Sequence, residues 1–319
     1  MIELRDISKS YGNHEVVKNL TISFPPNEIS VLIGPSGCGK TTTLEMINGL
    51  VKPDDGEIVV DGKNLATTDL ITLRRQIGYV IQEMGLFPHY NVYDNIALVP
   101  RLLKWEKNRI KSRIDELMNL VNLSADQLVK YPAQLSGGQQ QRVGVARALA
   151  ADPKYLLMDE PFGALDPINR SRLQDEFLRI QKGLRKTVVF VTHDMDEALK
   201  LGDRIAIMKG GQIIQFNTPL QLMQKPKNDF VKEFTGANRI MKALQMMTLT
   251  DLPKDLLKSA KEDLKFEGDG LDIETDLQSA LEMLLTASTE LPVFDDHKKL
   301  VGVLTLEQLM IFLKQNSNN

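Results

Sequence analysis

Apolar residues in the first two thirds of the chain occur in short unbroken runs, and these runs alternate with segments of helical periodicity. Unbroken apolar runs predict strands that are covered on both faces, which is typical of a mostly parallel sheet flanked by helices. We therefore expect an α/β fold for this part of the chain. Its predicted strands are 28–33, 75–81, 155–158, 187–191 and 204–208, and its predicted helices are 40–49, 142–151, 168–181 and 194–199.

The edges of this region carry patterns of another kind. Residues 2–7, 16–24 and 56–60 predict an antiparallel appendage to the main sheet. The pair Gly210 and Gly211 provides a turn signal between two apolar runs, which predicts a hairpin. We therefore expect the parallel sheet to be accompanied by a smaller antiparallel β subdomain.

The alternation weakens after Gly236, so we place a domain boundary there and predict domains over 1–236 and 237–319. Residues 239–266 have a helical pattern, which a Gly-rich break ends. The residues that follow predict a small α/β unit. Its predicted helices are 276–285 and 306–313, and its predicted strands are 291–294 and 300–304.

Composition narrows the possible functions. The chain has 319 residues, 42% of them hydrophobic, and a net charge of -3, so it can bury a large core but has no basic field for nucleic acid. Its one cysteine, Cys38, excludes a disulfide within the chain and indicates a reducing compartment. Charged residues within positions 1–6 argue against a signal peptide, and no apolar run approaches the roughly 20 residues that span a bilayer. We expect a soluble chain that needs a partner subunit for any role at a membrane.

A glycine-rich loop follows the first predicted strand of the sheet and opens a helix. Its spacing fits the pattern G-x-x-x-x-G-K-[ST], in which backbone N–H groups and the lysine hold phosphates and the hydroxyl ligates Mg²⁺. An ordinary Gly-rich turn is the alternative, but Lys40 and Thr41 stand where the phosphate pattern requires them. The predicted ATP-binding positions here are Gly34, Pro35, Ser36, Gly37, Cys38, Gly39, Lys40, Thr41 and Thr42.

Two acidic residues end the predicted strand at 155–158. Asp159 is predicted to hold Mg²⁺, directly or through water, and Glu160 to polarise the attacking water beside the γ-phosphate. Two carboxylates that only cap a loop are the alternative. The phosphate loop earlier in the chain favours the catalytic interpretation.

Together with Leu135–Gln139, which reads Leu-Ser-Gly-Gly-Gln, these motifs resemble the ATP-binding-cassette (ABC) family of transport ATPases over about residues 1–236. The resemblance implies a P-loop core with a mostly parallel sheet, an antiparallel β subdomain and a helical subdomain. It also implies a head-to-tail dimer of two copies with two shared ATP sites. The residues that it places against the nucleotide of the opposite subunit are Ser136, Gly137, Gly138 and Gln139.

The same resemblance assigns four further residues one at a time. Tyr11 matches the aromatic residue that stacks on adenine, although a tyrosine near a turn is more often a packing residue. Gln82 matches the glutamine that senses Mg²⁺ and the attacking water and that links the site to the membrane partner. Asp166 lies in the loop that communicates across the dimer. His193 matches the switch histidine at the γ-phosphate.

The stretch 77–105 resembles an importer subgroup for compatible solutes and quaternary amines, namely glycine betaine, carnitine and choline. It is less similar to the polyamine or sugar importers, and a generic coupling surface is the alternative. The implied partners are transmembrane permease subunits and, indirectly, an extracytoplasmic solute-binding protein. The resemblance places the chain at the cytoplasmic face of the cell membrane as a peripheral subunit.

The C-terminal unit supports this subgroup, because residues 275–313 resemble a cystathionine-β-synthase (CBS) motif within a clear region of about 272–316. Such motifs normally work in pairs, but residues 237–270 do not match a second copy. The single motif could pair with its counterpart from the other subunit and bind a regulatory nucleotide. Plain support of the dimer is the alternative.

Two other classes of function compete with the importer. A mechanical ABC ATPase of DNA or ribosome work usually carries a long coiled-coil arm or two cassettes, but the spacing between Lys40 and Ser136 is too short for an arm. A ligand-sensing module with a decayed cassette is the other alternative. Intact Lys40, Glu160 and His193 argue against it.

Overall fold

The computed structural model describes residues 1–82, 85–163, 165–253, 256–257, 270–286 and 290–317. It divides into two compact units, Met1–Pro219 and Leu220–Asn319. The strands of the first unit are β1 Ile2–Tyr11, β2 His14–Phe24, β3 Ile29–Ile33, β4 Asp55–Val60, β5 Lys63–Asn64, β6 Ile77–Val80, β7 Tyr155–Asp159, β8 Thr187–Thr192, β9 Arg204–Lys209 and β10 Gln212–Asn217. Its helices are α1 Lys40–Ile47, α2 Leu70–Arg74, α3 Val92–Leu102, α4 Lys107–Leu120, α5 Gly137–Leu149, α6 Pro167–Leu184 and α7 Met195–Leu201.

A six-stranded sheet in the order β10-β9-β3-β8-β7-β6 forms the centre of this unit. The five strands from β9 to β6 are parallel, and β10 is antiparallel to β9 as the hairpin signal predicts. Every residue of β3, β7 and β8 is buried, which is the physical origin of the unbroken apolar runs. The carboxyl ends of parallel strands meet at one edge, so the loops after β3, β6, β7 and β8 lie close together there.

The second sheet of this unit has the order β2-β1-β4-β5 and is entirely antiparallel. Alternate residues of β1, including Ile2 and Leu4, are buried in the core that also takes Leu32 of β3 and Leu44 of α1. The ring of Phe24 meets Phe216 of β10 edge-on at 6.4 Å between centroids. The predicted antiparallel appendage is therefore confirmed, and it shares one core with the main sheet.

Three helices, α3, α4 and α5, lie between β6 and β7 in the chain and form the helical part of this unit. The helices α3 and α4 are not among the predicted elements, since Pro100 lies inside α3 and charged residues dominate α4. Helix α5 begins at Gly137 rather than near 142, because Ser136 caps it. Within the described ranges, no helix is both long enough and apolar enough to cross a membrane.

The second unit contains a three-stranded sheet in the order β11-β12-β13, with β11 parallel and β13 antiparallel to β12. Its chain order is β-α-β-β-α after three short helices. A separate apolar core is built from Leu244, Leu271, Leu277, Val293, Leu304 and Leu309. The elements are α8 Pro219–Gln224, α9 Asp229–Phe234, α10 Arg239–Gln245, β11 Leu271–Asp272, α11 Leu277–Thr286, β12 Glu290–Phe294, β13 Leu300–Thr305 and α12 Leu306–Ser317.

Two boundaries in this unit differ from the predicted ones. The compact unit begins at Leu220, before the predicted boundary at Gly236, because Leu220 packs against the core of the second unit. The predicted helix over 239–266 ends at Gln245, and a 3-10 turn follows at Leu249–Asp251. The parts of that prediction over 254–255 and 258–266 lie outside the described residues.

Candidate active site

The phosphate loop joins β3 to α1, and its glycines meet a steric requirement. Gly39, at the N-cap of α1, has a φ of 101°, and a Cβ there would lie 2.7 Å from the carbonyl oxygen of Val16. A Cβ at Gly34 would lie 2.2 Å from the carbonyl oxygen of Met208. No side chain caps α1, and its first turn has no acidic residue, so its N–H groups are available to an anion.

Lys40 lies at the centre of this loop and is almost fully buried, with 7% of its surface exposed. Its ammonium group donates to the carbonyl oxygens of Gly34 at 2.8 Å and of Pro35 at 3.1 Å. The backbone carbonyl oxygens of the loop thus hold the lysine side chain inside the loop. A buried cation beside a helix N-terminus favours phosphate at this position.

Asp159 ends β7 and is 4% exposed. Its Oδ1 atom is buried and has no hydrogen-bond partner within the described part of the chain. Burial raises the pKa of the carboxyl group, which a hydrogen bond from Thr41 partly counteracts. A buried carboxylate oxygen beside a hydroxyl fits a hard divalent cation such as Mg²⁺.

The rest of the donor set fits a Mg²⁺ that is held jointly with phosphate. Among the described residues, no group of three or more His, Cys, Asp or Glu side chains could hold a metal ion. Mg²⁺ usually takes one or two carboxylates and completes its shell with water and substrate phosphates. Thr41 and Asp159 are sufficient protein ligands for that kind of site.

The carboxylate of Glu160 contacts side chains that follow two other strands, β6 and β8. Its Oε2 accepts a hydrogen bond from Nε2 of Gln82 at 3.2 Å and lies 3.0 Å from Nδ1 of His193. Glu160 has a φ of 43°, a left-handed conformation that costs a non-glycine residue about 1 kcal/mol. Its N–H group donates to the carbonyl oxygen of Val191 at 3.0 Å, which holds this conformation against β8.

The phosphate loop, Gln82, Glu160 and His193 surround one cleft of about 410 Å³, and the buried Asp159 is not part of its lining. Sequence reasoning anticipates all of its lining residues except Val16, which carries no chemical signal because its side chain is apolar. The structure brings Gln82, Glu160 and His193 to the phosphate loop. The lining residues are Val16, Ser36, Gly37, Cys38, Gly39, Lys40, Thr41, Thr42, Gln82, Glu160 and His193.

Eight of the predicted nucleotide-binding residues do not line this cleft. Two of them, Gly34 and Pro35, lie in the phosphate loop, where their carbonyl oxygens accept from Lys40. Tyr11 lies at the end of β1, where its ring is 51% exposed and the ammonium of Lys9 stands 5.6 Å from the ring centroid. The other five lie at the starts of two helices, α5 and α6. They are Ser136, Gly137, Gly138, Gln139 and Asp166.

The side chains at these helix starts serve as caps within the chain. The Oε1 atom of Gln139 accepts from the N–H of Ser136 at 2.9 Å, and the N–H of Gln139 donates to the Ser136 hydroxyl at 3.4 Å. Asp166 accepts from the backbone and side-chain amides of Asn169 at 3.2 Å and 2.7 Å, which lowers its pKa. The amide of Gln139 is thus engaged in its own helix, a use that the nucleotide prediction does not include.

Cys38 contributes to the loop through its backbone. It is 4% exposed, and its side chain belongs to the apolar core. Burial raises the pKa of the thiol, and the nearby ammonium of Lys40 opposes the shift. The side chain is therefore a packing group rather than a ligand.

Comparisons with known proteins bear on the same residues. Residues 17–163 match the family described as ABC transporter. The chain is 53% identical over 244 residues to the glycine betaine/carnitine/choline transport ATP-binding protein OpuCA of Bacillus subtilis, a match that spans 76% of this chain and 64% of that protein. It is 45% identical over 313 residues to the glycine betaine uptake system ATP-binding protein YehX of Escherichia coli, over 98% of this chain and 99% of that protein.

A solved structure agrees with the fold. It is a dimeric, post-hydrolysis state of the ATP-binding cassette MJ0796 with ADP and Pi bound, 33% identical, with a TM-score of 0.62 over 68% of this chain and 98% of that chain. The sheets, the helical part and the phosphate loop described above are those of the predicted ATP-binding cassette. On these observations, the chain belongs to the ABC transporter family.

Proposed function

We propose that this chain binds and hydrolyses ATP as the energy-coupling subunit of an ABC importer. The observation that carries the proposal has three parts: the phosphate loop, the buried carboxylate of Asp159 beside Thr41 of that loop, and the carboxylate of Glu160, which lines the same cleft as the loop. The first part can hold a polyphosphate, the second a divalent cation, and the third can polarise a water molecule. This combination is suited to transfer of a phosphoryl group to water.

Substitution of Lys40 tests the proposal. We expect the purified full-length chain to hydrolyse Mg-ATP and Lys40→Ala to lose at least about 100-fold in rate, because the variant lacks the cation at the phosphates. The matched control is Lys111→Ala, which removes an exposed lysine of α4. A wild-type chain that neither binds nor hydrolyses Mg-ATP would refute the proposal.

We assign Mg²⁺ to Thr41, Asp159 and Gln82. The unpartnered Oδ1 of Asp159 and its neighbouring hydroxyl support the first two ligands, and the position of Gln82 on the cleft supports the third. When bound, Mg²⁺ neutralises charge on the phosphates. Lys40 then turns its ammonium from the loop carbonyls toward the β- and γ-phosphates.

Glu160 acts as the general base in this proposal. Gln82 and His193 both hold its Oε2, which leaves Oε1 to accept a proton from the attacking water. The ring of His193 is 64% exposed, so it can reach the γ-phosphate while Nδ1 stays at the carboxylate. Catalysis then consists mainly of positioning and charge neutralisation.

We further propose that a second copy of the chain completes each site. Gly137 and Gly138 support this, because a Cβ there would find its nearest described atom 4.0 Å and 3.7 Å away, respectively, so nothing in the described part of the chain requires glycine. Glycine in the first turn of a helix makes the helix less stable. The close approach of an external group, such as a phosphate, explains why both positions are glycine nonetheless. Ser136 is exposed beside them and can meet the same phosphate. In this arrangement Asp166 faces the partner copy and Tyr11 stacks on adenine.

The transported solute is proposed to be a quaternary amine such as glycine betaine, carnitine or choline. The names of OpuCA and YehX support this class. Permease subunits and a solute-binding protein are the implied partners, with the chain peripheral at the cytoplasmic face. Uptake by the reconstituted importer tests it: labelled glycine betaine should accumulate and be displaced by carnitine or choline. Accumulation of spermidine instead would point to a polyamine importer.

The domain 237–319 is proposed to act as a CBS-like regulatory or dimer-supporting unit. Its β-α-β-β-α order around a separate core supports a small ligand-binding or pairing module. Binding of a labelled adenine nucleotide to the full chain, in the presence of saturating ATP analogue at the catalytic site, separates the two roles. Dimer support alone predicts no second nucleotide site.

A further inference from the structure

Arg170 joins two loops that sequence reasoning treats separately. It lies in the first turn of α6, where its Nη2 donates to the carbonyl oxygen of Leu165 at 3.1 Å. Its Nη1 pairs with Oδ2 of Asp194 at 3.3 Å. Leu165 immediately precedes Asp166, and Asp194 immediately follows His193. One guanidinium group therefore contacts both the loop that faces the partner copy and the loop that carries the switch histidine.

Asp194 connects Arg170 to the backbone around His193. Its Oδ1 accepts from the N–H groups of Asp196 at 2.9 Å and Glu197 at 3.3 Å, so it also caps α7. Its own N–H donates to the hydroxyl of Thr192 at 3.0 Å. The residues on both sides of His193 are thus fixed, although the imidazole ring itself is exposed. Arg170 can set the position of this ring without touching it.

A second contact joins the same helices one turn farther along α6. Nε2 of Gln174 donates to Oε1 of Glu197 at 3.0 Å, and both side chains are 5% exposed. Burial raises the pKa of Glu197, and its hydrogen bonds to Thr192 and Gln174 oppose that shift. This buried contact also joins α6 to α7 near the site.

We infer that Arg170 is a positioning residue that links the Asp166 loop to His193 within one subunit. The inference rests on the proposed ATP-dependent dimer. When the partner copy displaces Leu165 and Asp166, the guanidinium transmits the shift to Asp194 and so to His193. Occupancy at the interface thereby alters the switch histidine of the same subunit, which couples the two ATP sites. A single ammonium group lacks the planar fork that reaches both acceptors.

Lys200 offers a matched control. It also ties α7 to α6, through Asp175 at 2.8 Å and Ser171, whose carbonyl oxygen lies at 3.2 Å and whose hydroxyl lies at 3.1 Å, and none of its contacts with described residues reaches either loop. The experiment compares full-length wild type, Arg170→Met, Arg170→Lys and Lys200→Met. ATP hydrolysis is measured against ATP concentration to give kcat, KM and the Hill coefficient. Amide exchange is measured at Asp196 and Glu197 without nucleotide.

We expect Arg170→Met to lower the Hill coefficient from about 2 toward 1 and to lower kcat roughly 10-fold. We also expect faster hydrogen exchange at the amides of Asp196 and Glu197. Arg170→Lys keeps the charge but is expected to restore neither the Hill coefficient nor the exchange protection. Lys200→Met is expected to change none of these readouts. If Arg170→Met does not fold, Asp194→Asn tests the same link, since asparagine keeps the cap of α7 and loses the charge facing Arg170.

Two outcomes would overturn the inference. One is an equal response of Arg170→Met and Lys200→Met in the Hill coefficient and in amide exchange, which would make Arg170 a packing residue. The other is unchanged cooperativity in a folded Asp194→Asn variant. A wild-type chain without ATPase activity would instead refute the proposed function, and the amide exchange would still report whether the Arg170 link exists.

Discussion

The carboxylate of Glu160 shows how single residues define this site. It is held by an amide from the end of β6 and an imidazole from the end of β8, on a backbone that has positive φ. Strained conformations of this kind persist where the surroundings determine them, and they concentrate at functional positions. The strain therefore supports a role for Glu160 beyond packing.

Replacement of Glu160 by glutamine removes the proton acceptor and keeps the shape. We expect Glu160→Gln to bind ATP, to hydrolyse it at least about 100-fold more slowly, and to accumulate as a dimer. Single-turnover hydrolysis and size-exclusion chromatography with Mg-ATP measure both effects. Glu116→Gln, at an exposed position of α4, is the control. Wild-type turnover in Glu160→Gln would contradict the assignment of the base.

Gly138 permits a test in which stability and function move in different directions. Among the described residues, an added Cβ would meet Leu173 alone, at 3.7 Å, so Gly138→Ala is expected to fold and to gain about 0.5–1 kcal/mol of stability from helix propensity. Hydrolysis is expected to fall at least 10-fold, because the methyl group blocks a close approach by phosphate. Thermal unfolding and ATPase assays measure the two effects.

Gly183 is the matched control for that substitution. It lies in α6, and a Cβ there would find nothing within 4 Å. Gly183→Ala is expected to gain similar stability and to keep full activity. If Gly138→Ala also kept full activity, the proposed contact with the partner's nucleotide would be wrong.

At the scale of elements, the two sheets of the first unit are joined by a polar contact as well as by their apolar core. Asp61, in the turn between β4 and β5, accepts from the ammonium of Lys154 at 2.6 Å and from the hydroxyl of Tyr155 at the start of β7. Although burial of Asp61 acts in the opposite direction, these hydrogen bonds lower its pKa to about 2. The contact therefore depends on an ionised carboxylate.

The pH dependence of stability follows from this lowered pKa. The contribution is fully present above the ordinary aspartate pKa near 4 and is lost as pH falls through about 2. We expect Asp61→Asn to reduce the free energy of unfolding by about 1 kcal/mol at pH 7, after discounting for partial exposure, and by progressively less below pH 4. Urea titrations across this range measure it, with the exposed Asp115→Asn as control. A difference that stays constant down to pH 2 would refute the assignment.

At the scale of the whole molecule, the chain consists of a cassette and a smaller unit with separate apolar cores. The core of the smaller unit is drawn from residues between Leu244 and Phe312, with Leu220 packed against it. A unit with its own core can fold by itself. We therefore expect truncation to separate the proposed regulatory role from the proposed ATP hydrolysis.

Deletion of residues from Ala237 onward is expected to leave basal hydrolysis largely intact and to abolish any regulation by the C-terminal unit. A second truncation after Pro219 locates the boundary. Calorimetry of both chains shows which one unfolds in a single cooperative transition. Loss of folding in both would mean that the C-terminal unit is structural for the cassette, contrary to the proposed domain organisation.

The sequence predicted the central sheet and most of the cleft for one physical reason. Unbroken apolar runs identify buried parallel strands, and parallel strands bring Gly39, Asp159 and His193 to one edge. The contacts of Arg170 could not be predicted, because one partner is a backbone carbonyl and the other lies 24 residues away. The motif alone assigns Gln139 to nucleotide, although the three-residue spacing from Ser136 also fits the capping box that the structure shows.

The buried thiol of the phosphate loop is a native probe of the conformation of that loop. Cys38 is the single cysteine, and both its inaccessibility and its raised pKa keep it from reacting with electrophiles while the loop is closed. The rate of alkylation by a maleimide therefore measures how often the loop opens, with no engineered label. Protection of this thiol by a bound triphosphate turns the same reaction into a direct measure of site occupancy.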